Sequence, residues 1–173
     1  MSMRNKLRVL FVLAAVAVSA VAIPAFGANA TWTGLNANGV WADNANWSAA
    51  YPATGNTATF NGAGNGYVVI DVGTGLLVKT ILFETASAAA YTIGSGGAGN
   101  QTLSLNDTGA VTMNAAVATD QLFNANFLLG TATASTYTFT NNSLTNTLTF
   151  AGGVQGGTTG TAGAKTLTVT GAG

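Results

Sequence analysis

The sequence predicts an all-β fold of short strands, with a parallel β-solenoid (β-helix) as the first choice and a β-sandwich as the alternative. Two observations carry this prediction. Only 6% of the 173 residues are charged, whereas the outer faces of a soluble helical bundle need many charged residues. In addition, segments 136–140, 145–150 and 166–170 alternate Thr with mostly apolar residues, which is the period of a strand with one buried face.

A short recurrence indicates how these strands are arranged. The segment 148–153, LTFAGG, returns 19 residues later as 167–172, LTVTGA. A repeat of roughly 20 residues suits one coil of a β-solenoid. Short strands with Gly and Asn at the corners would stack in register, each hydrogen-bonded to the next. Backbone pairing around an apolar interior would then explain how a fold with so few charges is held together.

Residues 1–30 have the pattern of a signal peptide. A basic start precedes an apolar run over 9–23, which is shorter than the roughly 20 residues that a membrane span needs. Ala28 and Ala30 form an A-x-A cleavage signal, and cleavage after Gly27 is a second option. We therefore expect an exported chain, with an N-terminal membrane anchor as the alternative.

Removal of this leader changes the charge balance. It takes away both Arg residues and leaves two Lys against five acids, a net charge of −3. Because Lys and Arg supply most of the affinity for phosphates, we expect no nucleic-acid partner.

The chain has neither His nor Cys, which removes the Ser-His-Asp and Cys-His sets and the usual zinc, haem and iron–sulfur ligands. We expect no catalytic residue, no metal and no cofactor.

The segment 31–66 is predicted to be an N-terminal cap. It holds all three Trp of the chain, Trp32, Trp41 and Trp47, separated by Gly and Asn residues that favour turns. A buried Trp supplies much of a small core. We therefore expect the three indoles to pack together with Phe60, which ends a short predicted strand.

Residues 67–173 are predicted to form the solenoid rungs. The turn-forming segment 106–109, NDTG, is expected to separate two short strands. Between residues 120 and 130, the expected core residues include Phe127, Leu128 and Leu129. No closing cap precedes Gly173, so we expect a truncated solenoid with an open last rung. The predicted strands in this part are 67–72, 76–83, 90–93, 101–105 and 110–113.

Other candidate sites have plainer explanations. The segment 94–99, GSGGAG, is a candidate phosphate loop, but a strand rather than a helix follows it. The overlapping segment 96–100, GGAGN, is a candidate calcium loop, but Gln101 stands where a calcium repeat has Asp. Asp107 and Asp120 are candidates for a glycosidase pair, but both lie in turn-rich sequence. The alternating Thr residues are candidates for a flat ice-binding array, although Thr also favours ordinary exposed strand positions.

The order of these pieces resembles a known family. TWTG…W…ANW…P..GNTATF over 31–60 is similar to the start of bacterial passenger proteins that carry autotransporter-associated β-strand repeats. The similarity continues through short strand-turn units to residue 173. Asn56 departs from the pattern, since the family often has Asp there. The resemblance implies a right-handed parallel β-solenoid on the outside of a Gram-negative-type bacterium.

The resemblance also implies a function. It implies a secreted or surface-exposed structural or adhesive protein without catalytic activity. The partners would be a host-cell, matrix or polysaccharide surface, and the open solenoid edge would allow self-association. The alternative is an extracellular carbohydrate-binding or polysaccharide-active β-helix protein, which coplanar exposed aromatic rings or clustered acids on one face would favour.

Overall fold

The computed structural model describes residues 27–130, 134–157 and 163–172. The part of the predicted leader before residue 27 lies outside these ranges. The described chain contains short strands and two 3₁₀ turns but no α-helix. In the same residues, no helix is long and apolar enough to cross a lipid bilayer. The strands are β1 (Ala30–Thr31), β2 (Thr57–Phe60), β3 (Val69–Ile70), β4 (Leu76–Phe83), β5 (Thr92–Ile93), β6 (Thr102–Met113), β7 (Gln121–Phe123), β8 (Asn126–Leu129), β9 (Ser135–Asn141), β10 (Leu148–Phe150), β11 (Val154–Gln155) and β12 (Lys165–Gly171).

The strands stack into a parallel β-solenoid of about five turns, which confirms the predicted all-β solenoid. Every ladder between these strands is parallel, so the β-sandwich alternative, which needs antiparallel sheets, is wrong. The coil has three faces. The first contains the N-terminal parts of β4 and β6 with β8 and β11. The second contains β1, β2, the C-terminal parts of β4 and β6, β9 and β12. The third contains β3, β5, β7 and β10. The right-handed sense stays a prediction.

The length of a turn follows from residues that pair on neighbouring strands. Thr57 pairs with Thr80 after 23 residues, and Thr80 pairs with Ala110 after 30 residues. The predicted turn of about 20 residues is therefore wrong. Leu148 and Leu167, whose recurrence suggested it, lie in β10 on the third face and in β12 on the second. The two similar segments thus occupy different sides of the coil.

The segment 106–109 does not form the predicted turn between two strands. It lies inside the single long strand β6. Pairing between β4 and β6 shifts register between Val78 and Thr80, and Thr108 takes a left-handed conformation with φ of 60°. The turn-forming residues therefore make a β-bulge, at which both strands pass from the first face to the second.

Two other predictions differ from the structure in detail. The run 67–72 is a strand only at Val69–Ile70. Leu128, expected in the core, is half-buried because it alternates on β8 with the buried Phe127 and Leu129. Since successive strand residues face opposite sides, Leu128 points outward.

The interior is filled by columns of apolar side chains, one from each turn. On the third face, Ile70, Ile93, Phe123 and Phe150 pair successively from strand to strand. The rings of Phe123 and Phe150 are stacked with centroids 5.0 Å apart. Phe139, which enters from the second face, stacks on Phe150 at 4.5 Å. These columns bury a continuous apolar core, which is the main source of stability in a fold with so little charge.

The last described turn leaves its inward-facing positions uncovered. Val169 is 75% exposed, although it pairs with the buried Phe139 on the preceding turn. Phe150 and Leu167 are half-buried. This end of the described stack therefore presents apolar side chains beside unpaired strand edges.

Candidate functional site

The residues predicted to form the cap meet in one aromatic cluster. The ring centroid of Phe60 lies 6.3 Å from Trp32, 5.9 Å from Trp41 and 5.7 Å from Trp47. Trp41 and Trp47 meet edge to face at 4.8 Å. All four side chains are buried, with no more than 5% of any residue exposed. Phe60 also stacks on Phe83 at 5.4 Å, so the cluster continues directly into the solenoid core.

The indole N–H groups of the cluster all form hydrogen bonds. Buried indoles need a hydrogen-bond partner for the ring N–H, and each one finds a backbone carbonyl. Trp32 donates to Tyr67 at 3.0 Å, Trp41 to Pro52 at 2.8 Å, and Trp47 to Trp41 at 2.7 Å. The three indoles are therefore core, and their faces are not available to stack on a sugar ring.

The residues of the predicted cleavage signal lie at the start of the described chain. Ala30 is buried in β1, which pairs with β2, and Ala28 is half-buried before it. The side-chain oxygen of Asn29 accepts a hydrogen bond from the Thr57 N–H at 2.7 Å. Cleavage after Ala30 would remove these interactions, whereas cleavage after Gly27 would keep them.

A polar cluster forms in the loop that follows β1. Asp43 accepts hydrogen bonds from the side-chain amides of Asn36 and Asn38, and from the Ala45 N–H. These bonds stabilise the carboxylate and lower the pKa of Asp43, with Asn38 the largest cause. The buried Asn46 donates to the Asn38 side-chain oxygen at 2.6 Å. These hydrogen bonds join side chains and backbone groups of the same loop and so fix its conformation.

Charged and phenolic side chains from successive turns meet at the β-bulge. Tyr137 donates to Asp107 Oδ1 at 2.8 Å, and Lys165 Nζ lies 3.9 Å from the same oxygen. Lys79 donates to the backbone carbonyl of Asp107 at 2.6 Å and to the Thr108 hydroxyl. Burial, together with the bond to Asp107, raises the pKa of Tyr137 to about 12. Through the buried phenol and the paired charges, this cluster holds neighbouring turns of the coil together.

The second acid of the candidate glycosidase pair lies elsewhere. Asp120 precedes β7 on the third face, and its carboxylate accepts a hydrogen bond from the Thr147 N–H at 2.7 Å. Asp107 lies at the bulge between the first and second faces. The fold therefore places the two carboxylates at different corners of the coil. Among the described residues, no three of His, Cys, Asp or Glu are grouped so that they could hold a metal ion.

The glycine-rich segment 94–99 forms a corner closed by Gln101. The Gln101 side-chain oxygen accepts a hydrogen bond from the Ser95 N–H at 2.7 Å, and its amide donates to Asp71 at 2.6 Å. This donation is the main cause of the lowered pKa of Asp71. Gln101, which stands where a calcium repeat has Asp, thus joins two corners through hydrogen bonds.

The outer side of the second face carries a regular array that the sequence only partly revealed. Alternation placed Thr on one side of each strand, but it did not show which strands lie next to each other. In the structure these residues form two columns. The first runs Thr31, Thr59, Leu82, Thr112, Thr140, Thr170, and the second runs Thr57, Thr80, Ala110, Thr138, Thr168, with successive members paired. We call these eleven residues the threonine face.

No protein-family model, curated protein or solved structure matches this chain. The fold itself therefore defines the class of protein, which is a parallel β-solenoid. The similarity to autotransporter-associated repeats rests on the order of the sequence motifs alone and stays a prediction.

Proposed function

We propose that this protein is a secreted or surface-exposed structural or adhesive β-repeat protein without catalytic activity. One observation carries the proposal: an uninterrupted apolar interior runs from the tryptophan cluster through each turn of the described stack. Parallel strands paired from turn to turn make such a fold a quasi-one-dimensional stack in which each turn contacts its neighbours. A stack that spaces or displays surfaces needs no reactive centre.

The surroundings of the polar side chains support a role without catalysis. The Tyr137 hydroxyl and the Asp107 carboxylate bond to each other, and Asp43 is held by two side-chain amides. Side chains fixed in this way contribute to the structure of the coil. The alternative, an extracellular carbohydrate-binding or polysaccharide-active β-helix, receives less support, since the three indoles that would stack on sugar rings are buried.

The signal-peptide pattern and the family resemblance support an extracellular location. The partner would be a host-cell, matrix or polysaccharide surface, or a second copy joined through the uncovered end of the described stack. The short, largely uncharged outward side chains of the coil support contact with extended surfaces. We infer no nucleic-acid partner from the scarcity of basic residues.

Labelling and proteolysis of intact producing cells test this proposal. Antibodies raised against residues 31–130 should label unpermeabilised cells, and an external protease should remove the signal. Beads coated with the purified protein should then adhere to cells or to matrix more than beads coated with an unrelated protein. Labelling that requires permeabilised cells, or release of sugars from a polysaccharide by the purified protein, would overturn the proposal.

A further inference from the structure

We propose that the threonine face binds crystalline water. This inference goes beyond the structural role proposed above and does not depend on export, because it concerns the purified chain. Nine of the eleven positions in the two columns are Thr, contributed by six strands of the second face. The segments that supply them are far apart in the sequence, so the array exists only in the folded coil.

The pairing gives the face a two-dimensional repeat. Neighbouring strands of a ladder lie about 4.8 Å apart, and alternate residues of one strand lie about 6.6 Å apart. Thr112 pairs with Thr140, and Thr140 pairs with Thr170, so hydroxyl follows hydroxyl along the stack. The prism faces of an ice crystal also carry a rectangular array of oxygen atoms with repeats of this order. Hydroxyls on such a grid can hold water molecules in the positions that the lattice requires.

The hydroxyl groups of the threonine face can form hydrogen bonds with such water molecules. Within the described part of the chain, none of these nine hydroxyls forms a hydrogen bond with a protein group. Each can donate one bond and accept two. Because Thr is β-branched, its χ1 angle is restricted, and the ladder fixes its backbone. Little side-chain freedom is lost on binding, which is the condition for preorganised recognition.

The threonine face is uncharged, as is the surface of an ice crystal. The two exceptions to Thr, Leu82 and Ala110, are apolar, so no member of either column can ionise. In the described residues, ionisable side chains lie at the borders of the second face: Lys79 and Lys165 are bound at the bulge, and Glu84, two residues after Leu82, accepts a hydrogen bond from the Asn61 side-chain amide. An ionic mineral or an anionic polymer would require charges on the face itself. An uncharged array of donors and acceptors instead complements crystalline water.

A crystalline polysaccharide is the nearest competitor and is less well supported. Its sugar rings would be expected to stack on exposed aromatic side chains. The aromatic residues of the second face, Phe60, Phe83 and Phe139, all point into the core. The outer side offers hydroxyl and methyl groups alone, apart from Leu82. The structure therefore assigns ice, rather than chitin or cellulose, to this face.

Adsorption to growing ice tests the proposal directly. The fluorescently labelled protein is cooled against a growing ice hemisphere, and its concentration in the ice is compared with that of an unrelated carrier protein. The double variant Thr112→Lys/Thr140→Lys places charges in the centre of the face. The matched control Thr92→Lys/Thr149→Lys makes the same change at outward positions of the third face, in the column that also contains Leu122. Circular dichroism checks that each variant retains its strands, and the single variant Thr140→Lys provides a milder second probe.

We expect the wild type and the control to concentrate in the ice, and the threonine-face variants to be excluded like the carrier protein. The proposal is overturned if the wild type is excluded, or if both Lys variants of the threonine face adsorb as well as the control. Depletion of the wild type by crystalline chitin or cellulose, without adsorption to ice, would assign the face to a carbohydrate and would equally overturn it.

Discussion

The hydroxyl of Tyr137 donates a hydrogen bond to Asp107 Oδ1 at 2.8 Å, which joins two neighbouring turns of the coil beside the β-bulge. Gly130 lies against this pair, since a Cβ atom there would come within 1.8 Å of the Tyr137 hydroxyl. The phenol must remain protonated to donate this bond. The Tyr137–Asp107 hydrogen bond therefore depends on the protonation of one phenol, beside the contacts that Lys79 and Lys165 make at the bulge.

This dependence predicts a loss of stability at high pH. Burial raises the pKa of Tyr137 from 10.0 to about 12, and burial raises that of Tyr91 similarly. The folded state thus holds these protons more tightly than the unfolded state does. Their stabilisation is complete below pH 10 and is lost as the pH rises through about 12.

Urea unfolding at a series of pH values measures this effect. The free energy of unfolding of the wild type should fall between pH 10 and pH 12, and Tyr137→Phe should show a shallower fall. Between about pH 6 and 9, where tyrosine does not titrate, the two proteins should differ by a constant amount. Equal alkaline slopes would show that Tyr137 does not carry the effect.

The tryptophan cluster should contribute strongly to the stability of the coil. Phe60 contacts all three indoles and Phe83, so Phe60→Ala opens a cavity where the loop region meets the first turns. We expect a loss of about 3–5 kcal/mol in the free energy of unfolding, measured by urea denaturation with Trp fluorescence. Leu35→Ala, at a residue that is 70% exposed, should change it by less than about 0.5 kcal/mol. Similar effects of the two substitutions would contradict the cluster's role.

Residues 28–30 should stabilise the fold in any chain that retains them. A chain that begins at Ala28 keeps the Asn29–Thr57 hydrogen bond and the buried Ala30. A chain that begins at Thr31 loses both and should unfold with a free energy lower by about 1–3 kcal/mol. Urea denaturation of the two purified chains measures the difference, and a chain that begins at Asn29 separates the contribution of Ala28. Equal stability would show that β1 is dispensable.

If the protein is exported as proposed, cleavage after Gly27 is the choice that leaves a mature chain with these contacts intact. Mass spectrometry of the N-terminal peptide from the secreted protein should then identify Ala28 as the first residue. A first residue of Thr31 would show that processing removes the strand that pairs with β2.

For a purified chain that ends at residue 173, the uncovered end of the described stack predicts self-association. Val169 is 75% exposed at an inward-facing position, beside strand edges that can accept another strand. Val169→Lys should reduce the association that sedimentation velocity detects as concentration rises, because a buried unpaired charge is costly. The matched control is Val69→Lys, since Val69 is 52% exposed on the outer side of β3. Association that both variants weaken equally would indicate general solubility rather than a specific edge.

The local features of this fold could be predicted from the sequence because they depend on neighbouring residues. Period-two alternation placed Tyr137 and Phe139 on the buried side of a strand, and both are buried. The three Trp were expected in one cluster with Phe60, and the structure brings these four rings together. Side-chain alternation and the cost of exposing an indole act over a few residues, so a single sequence reveals them.

Only the tertiary structure decided which strands became neighbours. Leu148 and Leu167 share a local motif but lie on different faces, and the turn-forming segment 106–109 became a bulge inside β6. The columns of the threonine face join residues separated by 23 to 30 positions. Register over such distances depends on the loops between strands and on the packing of a shared interior. The sequence by itself therefore determined most of the strands and which of their sides is buried, while the stacking of the turns determined the strand boundaries at the bulge and the surfaces available for function.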